Sequence, residues 1–168
     1  NGVERITLLG EKLHSIIVFD KIKYIFSSPR KRAKDTKDLI FNKKDLEHCN
    51  FIIDEDLKEW EYGQYEGLLT KQILAMRKEQ GLGDSWNIWN QGCKNEFNPK
   101  AESTEEIGFR LWKFIKKIQK IQEAGTQTEE DCDIVIFAHG HCLRYLAALW
   151  FMAINVINKY ENGLIEGP

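Results

Sequence analysis

The chain has 168 residues, of which 42% are hydrophobic, and a formal charge of −2. That is enough apolar material for one well-buried core, and no composition shift marks a second domain, so a single globular domain over residues 1–168, incomplete at its amino terminus, is expected. Lys and Arg are scattered along the chain instead of gathered on one basic face, which excludes an electrostatic footprint for nucleic acid.

From Thr7 to Phe19 the residues Leu8, Leu9, Leu13, Ile16 and Ile17 recur at helical spacing and predict an amphipathic helix with Glu11 and Lys12 outward. Ile22 to Phe26 is β-branched and aromatic and predicts a strand, ended by Ser27-Ser28-Pro29. Ser28 is expected to cap the next helix, with Pro29 in its first position, and that helix should run to about Phe41. Phe51-Ile52-Ile53 predicts a second short strand before the acidic stretch Asp54 to Asp56.

Thr70 to Gln80 predicts a helix ended by Gly81 and Gly83, and Trp86 to Pro99 an irregular loop bearing tryptophans. Ser103-Thr104-Glu105-Glu106 is a capping box, since the Ser and the Glu three residues later can each satisfy an unpaired amide. Ile107, Leu111, Phe114, Ile115, Ile118 and Ile121 follow on one helical face. Ile134 to Phe137 is a continuous apolar run, expected as a strand buried on both faces, and it delivers His139 to its end. The alternation predicts an α/β sandwich whose ligands gather beyond the carboxyl ends of the strands, where Ser27, Asp54 and Ala138 lie.

The four cysteines, Cys49, Cys93, Cys132 and Cys142, form no Cys-x-x-Cys pair and have no His-rich companions, so neither a zinc site nor a disulfide framework is indicated. Reduced thiols in a cytoplasmic protein without metal or cofactor are expected. The longest apolar run, Leu143 to Ile157, contains Arg144 and Asn155 and is shorter than the ~20 residues that span a bilayer, so it predicts a buried helix and no membrane partner. The chain opens on Asn1-Gly2-Val3, with neither an initiator Met nor a basic-then-apolar leader, and reads as the interior of something longer.

His139 stands between a buried strand and Gly140, where the backbone can turn sharply and a ligand can come close. An isolated histidine there is more often a helix cap or a structural hydrogen bond, but the strand, His-Gly-His and helix together favour a site. A tight turn at Gly140 would aim His141 differently from His139, so it reads as structural or as a support behind the site, while His14 and His48 sit on charged segments as solvated residues. Arg32 falls in the first turn of its helix, where the dipole already favours an anion and a guanidinium adds forked donors matched to phosphate, whereas Arg30 and Lys31 read equally well as solvated charges.

Glu59, between Leu57 and Trp60, is either an ordinary surface glutamate or a half-buried general acid in a loop turned by Gly63 and Gly67. Arg144 interrupts an apolar helix one turn after His139 and would need an acidic partner or a bound anion if buried. Trp86, Trp89 and Tyr62 serve either as an aromatic wall or as core packing.

With these residues in place, the chain resembles the histidine phosphatase, or phosphoglycerate mutase-like, superfamily from Asn1 to about Trp150. The family's SSPxxRA segment is matched by Ser27 to Ala33, its L-x-E-x-x-x-G-x-x-E-G segment by Leu57 to Gly67, and its second-histidine segment by His139 to His141. Glu59 to Gly63, Trp86 to Trp89, Gly92-Cys93 and Phe137 to Tyr145 are most similar to the fungal sedoheptulose 1,7-bisphosphatases within it. The resemblance implies a three-layer α/β sandwich with a mostly parallel sheet, helices on both faces and its first strand lacking. It also implies metal-independent phosphoryl transfer through a phosphohistidine.

Carried over, Glu59 is the proton donor, His139 the second catalytic histidine, Arg32 a phosphate clamp with Ser28 beside it, and Tyr62 and Arg144 substrate contacts. The implied partner is a small sugar phosphate. The family's phosphorylated histidine stands in an Arg-His-Gly motif that occurs nowhere in these residues, Asn98 to Ala101 reads as an insertion, and the likeness fades past Trp150. Two other functions stay open: a noncatalytic relic that binds a phosphorylated ligand or a protein, and a phosphoglycerate mutase.

Overall fold

A computed structural model describes residues 2–126 and 132–161. The elements are α1 (Gly2–His14), β1 (Ile22–Ser27), α2 (Lys31–Ile40), β2 (Asn50–Ile53), α3 (Thr70–Glu79), α4 (Ile88–Gln91), α5 (Thr104–Thr126), β3 (Asp133–Phe137) and α6 (Gly140–Glu161). The three strands form one parallel sheet in the order β2-β1-β3, with Ser27 opposite both Ile53 and Phe137. All three predicted strands are present, and their carboxyl ends lie together.

The chain divides into two compact units, residues 1–59 with 113–143 and residues 60–112 with 144–168. Composition gives no warning of this division: two of its three boundaries fall inside the long helices α5 and α6, and the first, after Glu59, falls in a loop that no Pro, Gly or Ser run marks as a linker. All five tryptophans, Trp60, Trp86, Trp89, Trp112 and Trp150, belong to the second unit.

The first unit holds the sheet. Successive side chains of β1 face opposite ways, so Ile25 joins Ala33, Ile40, Phe41 and Phe137 in a core lined by Ile6 and Leu13 of α1 and Ala33 and Ile40 of α2. Phe26 meets Phe114 of α5 edge-on at 5.2 Å on the other face. Helices therefore cover both faces of the parallel sheet, the three-layer arrangement expected. Gly10 of α1 permits the close approach of α2, since a Cβ there would stand 3.3 Å from the Ile40 Cα.

Several boundaries differ from the sequence reading. The first helix runs from Gly2 to His14, and Ile16 and Ile17 follow it in a turn closed by bonds to the Leu13 carbonyl. Leu8 and Leu9, read as inward-facing, are exposed. β3 is an edge strand among the described residues, and Ile134, Val135 and Ile136 are half-buried instead of fully covered. The apolar run from Leu143 does form a helix, yet Leu143, Phe151 and Met152 are exposed, so it is not a buried one. The side chains of 154–157 lie outside the described residues. No described helix is long and apolar enough to cross a membrane.

The second unit is built on Trp60, which is 2% exposed, lies 5.5 Å from Tyr145 and 6.1 Å from Trp89, and donates its indole N–H to the Glu102 carbonyl. The loop from Trp86 contains a short helix, α4, capped by the Asn87 side chain on the Trp89 N–H. The capping box forms as read, with Ser103 Oγ accepting from Glu106 N–H at 3.2 Å and the Glu106 carboxylate accepting from Ser103 N–H at 2.9 Å.

Asn98, read as part of an insertion, is 2% exposed. Its amide donates to the Tyr62 and Cys93 carbonyls at 2.9 and 3.1 Å, and its oxygen accepts from Gln64 N–H at 2.9 Å. Gly63, between those two anchored residues, has φ +59°, and a Cβ there would collide with Asn98 Oδ1.

Candidate active site

Four of the residues singled out from sequence, Ser28, Arg32, Glu59 and His139, fall in the first unit. Parallel pairing explains their convergence: Ser28 follows the end of β1, His139 follows the end of β3, and Ser28 N–H donates to the Phe137 carbonyl at 2.8 Å, which locks the two strand ends in register. His139 is 5% exposed. Its Nδ1 accepts from Arg32 Nε–H at 2.9 Å, and its Nε2 lies 2.8 Å from Ser28 Oγ.

These partners define the imidazole. A guanidinium can only donate, so Nδ1 carries a lone pair, and Nε2 of the neutral ring carries the proton that Ser28 Oγ accepts. Ser28 Oγ also accepts from Arg30 N–H at 3.3 Å, which leaves the hydroxyl's own proton available to a further acceptor. The expectation that Ser28 caps α2 is corrected here: Arg30 is the capping residue, without a side-chain cap, and α2 starts at Lys31. Ser28 turns toward the histidine because its backbone is still held by β3.

Arg32 lies in the first turn of α2, which contains no acidic residue, and its side chain is largely exposed. A cation beside the positive end of a helix dipole leaves local positive charge that a small anion satisfies. Glu59 is half-buried between the fully buried Leu57 and Trp60, and its Oε1 accepts from Cys142 N–H at 3.0 Å in the first turn of α6. The Leu57 carbonyl accepts from the Cys142 thiol at 3.6 Å. Thus Glu59 is fixed to the backbone three residues beyond His139. Sequence reading did not identify Cys142 N–H as this anchor, since a backbone donor leaves no mark in residue identity.

Nearby acids are held differently. Asp54 at the end of β2 accepts from Asp56 N–H at 3.0 Å and pairs with Lys117, and Asp56 pairs with Lys113 at 3.1 Å. These carboxylates are neutralised by α5 and separate Glu59 from the acidic background that obscured it in the sequence. His14 and His48 are exposed, as read, with ring nitrogens near the Ile40 and Phe19 carbonyls at 3.0 and 2.9 Å.

Tyr62 and Arg144 belong to the second unit. Tyr62 is half-buried with its carbonyl held by Asn98. Arg144 is exposed, so the cost foreseen for burying it does not arise. Of the candidate aromatic wall, Trp86 packs on Tyr65 at 5.6 Å and Trp89 stacks on Tyr145 at 6.3 Å, which favours the packing role for both. Burial and, secondarily, the Glu105 charge push the Tyr145 phenol up.

The four cysteines are free, and no cluster of metal-binding side chains occurs among the described residues. Burial and, secondarily, the Glu102 charge push the Cys93 thiol up from 9.0 to about 12, against the opposing pull of Arg77.

Known proteins resemble this chain in sequence and in fold. The chain is 45% identical over 147 residues to sedoheptulose 1,7-bisphosphatase of Saccharomyces cerevisiae, a match covering 84% of this chain and 52% of that protein. It is 26% identical to an acid phosphatase of Mycobacterium tuberculosis, over 89% of this chain and 61% of that protein. The chain therefore spans about half to three-fifths of the length of these relatives. A crystal structure of phosphoglycerate mutase from Bacillus anthracis superposes with a TM-score of 0.65 at 20% identity, over 88% of this chain and 66% of that one. The model of the histidine phosphatase superfamily (branch 1) matches residues 1–161, and with the serine, arginine, glutamate and histidine placed as above the chain belongs to that superfamily.

Proposed function

We propose that this chain is the portion of a metal-independent sugar-bisphosphate phosphatase that clamps the phosphoryl group and supplies the proton, with sedoheptulose 1,7-bisphosphate as substrate. The observation that carries the reading is the direct contact of Arg32 with His139 at 2.9 Å, with Glu59 tied to the same helix start. The 45% identity to the yeast sedoheptulose 1,7-bisphosphatase supports the substrate. No Arg-His-Gly triplet occurs in the 168 residues, so the nucleophile is assigned to a segment outside them.

In this scheme a neutral histidine of that segment attacks phosphorus, the P–O bond to the sugar breaks, and Glu59 transfers its proton to the departing oxygen. Water then attacks the phosphohistidine, the P–N bond breaks, Glu59 takes the water's proton, and inorganic phosphate leaves. Arg32 and the Ser28 hydroxyl proton face the transferring oxygens, where preorganised donors act most strongly. An arriving phosphoryl dianion competes with His139 Nδ1 for the guanidinium. Tyr62 and Arg144 are assigned to the sugar portion, and the protein to the cytoplasm.

The test is phosphate release from sedoheptulose 1,7-bisphosphate by the full-length protein beside Glu59→Gln. Wild type should turn over and the variant should lose about 10²- to 10⁴-fold, the range for a general acid. Equal rates remove Glu59 from the chemistry. Interconversion of phosphoglycerates without net hydrolysis makes the protein a mutase, and tight binding without turnover makes it a relic.

A further inference from the structure

At the opposite end of the same sheet, the amino ends of β1 and β2 and the residue before β3 border a cavity of about 460 Å³ in the first unit. Its walls include Lys23, Tyr24, His48, Asn50, Lys120 and Cys132, with no aspartate or glutamate lining it among the described residues. The size lies within the ~300–1,000 Å³ usual for small-molecule sites.

The two lysines are unlike their neighbours. Lys113 and Lys117 of α5 hold Asp56 and Asp54, whereas Lys120, one turn further along, and Lys23 of β1 meet no carboxylate among the described residues. Cys49, the other group that senses Lys23, gives no counter-charge, because burial pushes its thiol up and keeps it neutral. Tyr24 is half-buried and its hydroxyl has no hydrogen-bond partner among the described residues, while the Asn50 amide reaches the Lys23 carbonyl only at 3.5 Å. His48 places Nε2 2.9 Å from the Phe19 carbonyl, which can only accept, so its proton sits there and Nδ1 is left over.

We propose that this cavity is a second anion site, which takes a small phosphate ester with its dianion between Lys23 and Lys120 and its carbon frame against Tyr24 and Ile121. Two ammonium groups that meet no carboxylate among the described residues supply the charge, the phenol and carboxamide supply neutral donors, and the helix wall supplies apolar surface. The site is separate from the one at Arg32. Lys23 and Ser28 stand five residue steps apart along the strand, about 16 Å at ~3.3 Å each. That exceeds the screening length of ~8–10 Å at physiological salt, so the two anions bind independently.

The probe is glycerol 2-phosphate, followed by amide chemical shifts of the ¹⁵N-labelled chain at constant ionic strength. Saturable shifts at Lys23, Tyr24 and Asn50, titrating separately from any at Ser28 and His139, are expected. Lys23→Met with Lys120→Met should weaken the first set at least ten-fold and leave the second unchanged, and Lys23→Arg with Lys120→Arg should restore it. Lys71→Met with Lys100→Met, two exposed lysines of the second unit, should alter neither set. The proposal is overturned if the Lys23 set does not saturate, if chloride at equal ionic strength reproduces it, or if the paired Met variant binds as tightly as wild type. The wild-type titration decides the matter even if that variant fails to fold, and it does not depend on whether the chain hydrolyses sugar phosphates.

Discussion

Ser28, His139 and Arg32 in the first unit and Tyr62, Asn98 and Gln64 in the second are both small clusters of hydrogen bonds centred on one buried side chain, His139 at 5% and Asn98 at 2% exposure. Around Asn98 the donors and acceptors are neutral and mutually satisfied, so the cluster fixes a loop and asks for nothing more. Around His139 a guanidinium is paired with an imidazole lone pair instead of a carboxylate, and a serine proton is left over. A closed neutral network contributes stability; an open cationic one holds geometry ready for an anion. Substitutions in the two clusters should therefore separate rate from stability.

The largest expected effect is on rate. Arg32→Ala in the full-length protein should lower kcat by about 10²- to 10³-fold, as for loss of one preorganised donor. Its exposed side chain predicts a change in Tm of no more than about 2 °C. A large loss of Tm would place Arg32 with the structural cluster.

Gly63→Ala should do the reverse. The left-handed conformation costs about 1–2 kcal/mol for an L-residue, and the collision with Asn98 Oδ1 adds to it. Thermal melts should show Tm lower by about 5–10 °C, with phosphoryl transfer retained below the new transition. Asn98→Asp keeps the shape but loses the donors to the Tyr62 and Cys93 carbonyls, so a loss of about 1–3 kcal/mol in urea unfolding is expected. Unchanged stability there would mean the loop has another anchor.

Cys93 gives the neutral cluster a pH signature. Its thiol is pushed from 9.0 to about 12 in the fold, so the unfolded chain releases the proton first. The contribution is complete below pH 9 and is lost as pH rises toward 12. Tm measured across that window should fall more steeply for wild type than for Cys93→Ala, and parallel curves would reject the assignment. The smallest effect is expected from Ser28→Ala, a several-fold loss of rate from releasing the His139 tautomer, consistent with one net hydrogen bond of about 1 kcal/mol.

The sheet was legible because apolar runs such as Ile134 to Phe137 and turn signals such as Ser27-Ser28-Pro29 are local. His139, Arg32 and Glu59 were legible as candidates through their motifs, and parallel register then brought Arg32 and His139 into contact across 107 positions. What escaped was set by tertiary partners. Ser28 looked like a helix cap until the Phe137 carbonyl held its backbone in the sheet register. The anchoring role of Asn98 escaped, since nothing local tells a buried carboxamide from one in solvent. The first helix was displaced because Ile16 and Ile17 continue its apolar spacing after the backbone has left the helix.

The placement of every indole in the second unit gives this chain an optical asymmetry. Emission excited at 295 nm reads the surroundings of Trp60 and its four counterparts directly and is blind to the interior of the sheet. Circular dichroism at 222 nm averages over both. Followed together through a denaturant titration, the two signals distinguish one cooperative transition from sequential melting without a label being attached anywhere.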